Sequence, residues 1–161
     1  MKKLLDQTNL KILKILQENC KISNKELANR LNLSTTPIFE RIKKLEREGF
    51  IEKYTALLNE RKIGLKQTIF IGISLKGHTR SYLKNFSHQI NNFPEVLEAY
   101  QVSGNFDFLL KLVLEDIDAY EKFVQTKLSL ISEIRKVHSY IAIKKEKYTT
   151  QFDLSSIGNS K

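Results

Sequence analysis

A single cysteine, Cys20, among 161 residues excludes an intramolecular disulfide framework and fits a reducing cytoplasm. No apolar run approaches the roughly 18 residues needed to span a bilayer. The amino terminus, MKKLLDQTNL, has neither an uninterrupted apolar stretch nor a small-residue cleavage site, so a secretory signal is not expected. Catalytic signatures are missing as well. There is no G-x-x-x-x-G-K-[ST] phosphate loop and no G-x-S-x-G elbow. His78, His88 and His138 are scattered, and none stands at metal-ligand spacing from Cys20 or from another histidine. No carboxylate pair stands out as an acid/base dyad. The expectation is therefore no enzyme, no catalytic residue, no metal and no cofactor.

Positive charge is what the chain does have. It carries 27 Lys/Arg against 18 Asp/Glu, a formal +9. Residues 1–62 hold 14 basic and 8 acidic residues (+6), and residues 63–161 hold 13 and 10 (+3). The excess sits in the first third, where it points to a polyanionic partner.

That first third reads as three short helices. Asp6 can cap a helix whose buried stripe is Ile12, Leu13 and Leu16, ending near Asn19. In SNKELANRL, Ser23 and Glu26 have capping-box spacing, with Leu27, Ala28 and Leu31 facing inward. After the turn at NLS comes TTPIFERIKKLEREG, with Ile38, Ile42 and Leu45 at helical spacing and Gly49 placed to end the helix. Pro37 belongs to its first turn, where backbone N–H groups have no intrahelical acceptor. FIEKYTALLN alternates loosely, as a small hairpin or wing would. Three helices followed by a wing form a winged helix-turn-helix, whose third helix points its amino-terminal residues at base edges in the major groove.

The candidate base readers are Thr35, Thr36, Phe39, Glu40 and Lys43, and the candidate phosphate contacts are Arg41, Lys44 and Arg47. Ser34, Thr35 and Thr36 are candidate caps and phosphate ligands, and Ser23, Lys25 and Pro37 complete the candidate DNA-binding set. Glu40 can instead pair with Lys43 or Lys44 along the helix, and Arg41 can instead brace the fold.

From Thr68 onward the pattern is β-α-β-β-α-β. Strands TIFIGISLK, VLEAYQVSG, FDFLLKLVL and IRKVHSYIAIKK alternate with helices RSYLKNFSHQINNF and DIDAYEKFVQTKLSLI. A tight turn at Gly104-Asn105 is expected between the middle strands. Such a chain builds a four-stranded ferredoxin-like sheet with both helices on one face. The other face would expose apolar residues, so a second subunit is expected over it. The α+β chain thus divides into a helix-turn-helix domain (1–60, the motif itself at 23–46), a linker (61–67), a βαββαβ domain (68–148) and a loosely held tail (149–161).

The stretch NKELANRLNLSTTPIFERIKKLEREGFIEKYTALLN resembles the DNA-binding domain of the Lrp/AsnC family of transcriptional regulators. Leu33, Ser34, Ile38, Arg41, Ile42, Leu45, Glu46, Gly49 and Ile51 match its pattern, and Lys44 stands where the family has arginine. Downstream, VSGNFDFLL is similar to the family's V-S-G-x-x-D-[YF]-L-L signature. The resemblance implies a cytoplasmic, sequence-specific DNA-binding regulator that dimerises through its regulatory sheets, commonly assembles into octamers, and binds an amino acid between regulatory (RAM) domains of neighbouring dimers. It implies an effector site at Gln101, Val102, Ser103, Gly104, Asn105 and Asp107, with Ile117, Lys127, Ser129 and Tyr140 as further candidates. Chemically, Asp107 suits the effector's ammonium, while amides around Gly104 and the Lys127 cation suit its carboxylate. Asn105, Lys127 and Ser129 depart from the best-known leucine responder, so leucine itself is not assumed. The competing reading is a metabolite-binding sensor module without a DNA role.

Overall fold

Three helices open the described part of the chain. In this computed structural model, which describes residues 5–157, α1 spans Gln7–Glu18, α2 Asn24–Leu31 and α3 Thr35–Arg47. Asp6 Oδ1 accepts from the Asn9 N–H at 2.7 Å and Ser23 Oγ from the Glu26 N–H at 3.1 Å. The Glu26 carboxylate turns to Arg30 at 2.8 Å. Asn32, the αL residue that ends α2, makes the sharp turn toward α3. α3 closes in a Schellman arrangement, the Gly49 N–H reaching the Glu46 carbonyl (3.0 Å) and the Phe50 N–H that of Leu45 (2.9 Å). Ile12, Leu27, Ile38 and Leu45 are fully buried at the centre, and Leu13, Leu16 and Leu31 pack around them.

The expected hairpin does not form. Residues 51–59 carry no strand. FIEKYTALLN has no glycine, proline or Asx pair midway, so nothing supplies the two-residue turn a hairpin needs.

The second unit is built on a sheet of order β2-β3-β1-β4, antiparallel throughout. Its elements are β1 (Gln67–Leu75), α4 (Arg80–Ile90), β2 (Val96–Gln101), β3 (Phe108–Leu114), α5 (Ile117–Thr126) and β4 (Ile134–Ile141). Ile69, Ile71, Ile73 and Leu75 of β1 and Phe108, Leu110, Leu112 and Leu114 of β3 share one face with Phe86 and Ile90 of α4 and Phe123 of α5. Both helices therefore cover the same side. On the other side two rows cross the strands, Glu98–Lys111–Phe70–Tyr140 and Tyr100–Leu109–Gly72–His138.

Two boundaries differ from the sequence reading. The chain divides after Ala56, and residues 57–67 belong with the sheet. The expected linker holds a 3-10 turn, Glu60–Ile63, with Asn59 Oδ1 accepting from the Lys62 N–H at 3.1 Å, and Lys66 donates to the Leu114 carbonyl at 2.9 Å. The tail from Lys147 groups with the helical unit and is not loosely held: Gln17 pairs with the Phe152 backbone.

Candidate DNA-reading helix and ligand loop

Sorting of side chains around α3 is nearly complete. Ile38, Ile42 and Leu45 are 0%, 8% and 0% exposed, while Thr35, Thr36, Pro37, Phe39, Glu40, Lys43, Lys44 and Arg47 all face solvent. The helix starts earlier than its proline suggests: Thr35 and Thr36 are its first two residues and Pro37 its third. Ser34 occupies the N-cap position, but its hydroxyl makes no capping bond, which corrects its expected role as a cap. A hydroxyl left out of the cap, beside the unsatisfied amides of Thr35 and Thr36, suits an incoming phosphate. Ser23, which does cap α2, and Lys25 in that helix's first turn are exposed.

Arg41 is a brace, not a free cation. Its Nη1 donates to Asp6 Oδ2 at 2.6 Å and to Asn9 Oδ1 at 2.8 Å, tying α3 to the first turn of α1. Burial raises the Asp6 pKa, but the Asn9 amide and the Arg41 guanidinium outweigh that and hold it below the usual aspartate value. Lys43 pairs forward with Glu46 (2.9 Å), not back with Glu40, and its ammonium lies 5.9 Å from the Phe39 ring centroid. Glu46 also accepts from the Tyr54 hydroxyl at 3.0 Å. Burial and that bond push the Tyr54 pKa up to about 12, so the proton stays in place. Among the described residues, Glu40, Lys44 and Lys25 make no ion pair, and Arg47 makes only a long one to Glu48 at 3.8 Å.

The signature loop is wider than the expected tight turn. The Val102 N–H donates to the Asp107 carbonyl at 3.0 Å, leaving Ser103–Phe106 as the loop, with Gly104 at φ 119, a backbone state that a side chain would strain. The loop curls over the sheet side that no helix covers. Ser74 Oγ donates to the Asn105 carbonyl (3.4 Å), and the Phe106 ring lies over Gly72, where a Cβ would stand 2.8 Å from it. Phe106 also contacts the rings of His138 (5.3 Å) and Tyr140 (6.3 Å). The candidate Tyr140 is thereby brought to the loop, alongside Gln101, Val102, Ser103, Asn105 and Asp107.

Asp107 is already engaged. Its Oδ2 accepts from the Leu75 N–H at 2.7 Å, and its Oδ1 meets His78 Nε2 at 2.8 Å. Lys127 does not join it. Its ammonium holds Glu95 at 2.6 Å and lies 5.5 Å from the Phe93 ring. Glu95 precedes β2 and the loop follows it, so about 20 Å of strand separates them. A single chain therefore does not gather Asp107 and Lys127 around one ligand, and the site expected from sequence lies between neighbouring subunits. Ile117 begins α5, half exposed, and Ser129 Oγ donates to the Gln125 carbonyl at 2.5 Å.

Sequence reasoning missed Asn9, Tyr54, Phe106 and Glu95. Phe106 lay in the recognised loop signature and Tyr54 in the stretch after α3, but the contacts that all four make carry no local signature.

Comparison with known proteins agrees in both halves. Residues 5–52 match the winged helix-turn-helix DNA-binding model and residues 68–152 the Lrp/AsnC ligand binding domain. The chain is 34% identical to the Bkd operon transcriptional regulator of Pseudomonas aeruginosa, covering 87% of this chain and 92% of that protein. It is 35% identical to the leucine-responsive regulatory protein of Escherichia coli, covering 91% and 90%. An AsnC family transcriptional regulator from Agrobacterium tumefaciens superposes with a TM-score of 0.90 at 41% identity, over 95% of this chain and 99% of that one. A Neisseria meningitidis transcriptional regulator solved as an L-Met complex gives 0.89 at 33%, over 94% and 97%. With both domains matched in order along nearly the whole sequence, this chain belongs to the Lrp/AsnC family, which comprises DNA-binding transcriptional regulators, not enzymes.

Proposed function

We propose that this regulator reads operator DNA through the start of α3 and answers to an amino acid at the 102–107 loop. It works in the cytoplasm as a homodimer that assembles further, to an octamer. The observation that carries the DNA assignment is the partition of α3: one stripe is spent on the core, and Thr35, Thr36, Phe39 and Glu40 stand exposed with Lys44 and Arg47 behind them. Thr35, Thr36, Phe39, Glu40 and Lys43 read base edges, while Ser34, Lys44, Arg47, Ser23 and Lys25 contact phosphates. Arg41 supports the helix from behind.

The L-Met complex of the Neisseria relative supports an amino-acid effector. Asp107 suits the ammonium, exchanging His78 for it, and the amides around Gly104 suit the carboxylate. Ile117, Lys127 and Ser129 reach a ligand only from a neighbouring subunit, given the strand that separates Lys127 from the loop. The uncovered sheet side, with Phe70, Leu109 and Tyr140 among its rows, supports pairing with a second copy.

A thermal-shift screen of the twenty amino acids tests the effector. Ligand binding to the native state raises its stability by mass action, by about 2.7 kcal/mol at 100 times Kd. One or two hits are expected, with L-Met an early candidate; twenty blanks would overturn the amino-acid reading. Absence of binding to any duplex at low salt would overturn the placement on DNA.

A further inference from the structure

Leu10 is only 7% exposed, yet it stands outside the three-helix core around Ile12, Ile38 and Leu45. Positions 7, 10, 14 and 17 form one stripe of α1, at the spacing that places residues above one another on a helix. That stripe lines a cleft whose opposite wall is the carboxy-terminal segment, including Phe152 and Leu154.

The segment is held by specific bonds. The Phe152 N–H donates to Gln17 Oε1 at 2.7 Å, and Gln17 Nε2 donates to the Phe152 carbonyl at 3.3 Å. The glutamine amide stands in for a neighbouring β-strand, satisfying both backbone groups of one residue. Beyond it, the Ser155 N–H donates to Asp153 Oδ1 at 2.9 Å and shapes a turn. The Ser155 bonds hold the Asp153 carboxyl below its usual value, and the charge of Lys14 on α1 adds to this.

We infer that α1 carries a docking groove for the chain's own segment 151–157, and that docking gives the DNA-reading unit a second tether. The chain leaves the helical unit after Ala56 and rejoins it at Lys147, shortly after β4 ends at Ile141. A reading head tethered at two points explores fewer orientations than one on a single linker. On DNA with two half-sites, that restriction raises the effective concentration of the second head once the first is bound. The DNA consequence rests on the dimeric reading above; the docking does not.

Two variants of the full chain test it. Gln17→Ala removes both bonds, and Phe152→Pro removes the donated N–H while leaving the α1 groove intact. Trypsin cleavage after Lys147 is expected to quicken roughly tenfold in each, the scale of losing one or two net hydrogen bonds. The double variant is expected to cut no faster than Gln17→Ala alone, because the two changes break one contact. Unchanged cleavage in both variants would overturn the docking. On a duplex with two half-sites, both variants are expected to lose about tenfold in affinity, and on a single half-site nothing. Equal loss on both duplexes, or none on either, would overturn the tether. Because cleavage is read without DNA, docking and DNA binding fail separately.

Discussion

The DNA-reading helix and the ligand loop differ in how their side chains are used. On α3, Lys44 and Glu40 make no ion pair among the described residues and Arg47 makes only a long one, while Lys43 alone of the outward cations is held closely, by Glu46. In the regulatory unit, the charges best suited to an amino acid are occupied, Asp107 at the loop by Leu75 and His78, and Lys127 at the far end of β2 by Glu95. A surface that must meet a polyanion can be complete in one chain and wait in water, because exposed cations cost little until phosphates arrive. A site for a zwitterion needs both signs close together. This chain supplies Asp107 and Lys127 at opposite ends of β2, so the proposed site takes its second charge from a neighbouring subunit.

The largest effect expected from this contrast is in salt. With about six phosphate contacts, operator affinity should fall on the order of 10³-fold between 50 and 200 mM salt. Amino-acid affinity should change far less, because a small zwitterion releases no condensed counterions. Lys44→Ala should lower the DNA salt slope by about one and weaken all sequences alike, whereas Thr36→Ala should change sequence preference. A salt-insensitive operator titration would remove the distinction between the two regions.

Next in size is the loop carboxylate. Asp107→Asn keeps a carbonyl oxygen for the Leu75 N–H but removes the charge an ammonium needs. Calorimetry should show roughly 100-fold weaker amino-acid binding, the scale of a lost charge-assisted bond, with the melting temperature nearly unchanged. Asp107→Ala should lower both, because the part-buried Leu75 N–H then loses its acceptor. Wild-type affinity in the Asn variant would exclude Asp107 as the ammonium partner. Below it comes Gly72→Ala. The new methyl would press into the body of the Phe106 ring, so the ring must leave or the strand must bend. About 1–3 kcal/mol should be lost in urea unfolding, and the loop should bind its ligand less well.

Arg41→Ala sharpens the contrast from the DNA side. If Arg41 is a brace, the variant loses about 1–2 kcal/mol of stability and leaves the salt slope intact. A slope reduced by one at constant stability would return it to the phosphate contacts. Acid should act on the same contact. Because the Asp6 carboxyl titrates below its usual value in the folded chain, its contribution is present above about pH 4 and fades as pH drops through the lowered value. Arg41→Ala should flatten that part of the acid unfolding curve.

Periodicity made the elements legible. Caps at Asp6 and Ser23, the Ile38–Ile42–Leu45 stripe, and the alternation Ile69–Ile71–Ile73–Leu75 are local patterns, and the structure follows them. The candidate sites were legible only as lists of residues. Whether Arg41 grips or braces depends on Asp6, 35 positions away, and Lys127's role depends on Glu95, 32 away. No short window contains either pair. The hairpin at 51–59 is absent for a different reason: alternation suggested strands, but the turn chemistry that would pair them was missing. The tail read as loosely held because the partner of Phe152, Gln17, lies 135 residues earlier.

The smallest effect belongs to Lys127, and it tests the contrast most directly. Its pair with Glu95 is about one-third exposed on the lysine side, so Lys127→Ala should cost only about 0.5–1 kcal/mol. Burial raises the Glu95 pKa, but Lys127 outweighs that and keeps it below the usual glutamate value. The stabilisation should therefore be present above about pH 4.3 and disappear as pH falls through the lowered value, leaving wild type and variant equally stable in acid. Ligand binding should separate the alternatives. If Lys127 meets the effector carboxylate from a neighbouring subunit, the variant should bind more weakly only at protein concentrations where larger assemblies form. Weaker binding at every dilution would mean that one chain does bring both charges to its ligand, through a movement large enough to break the Glu95 pair.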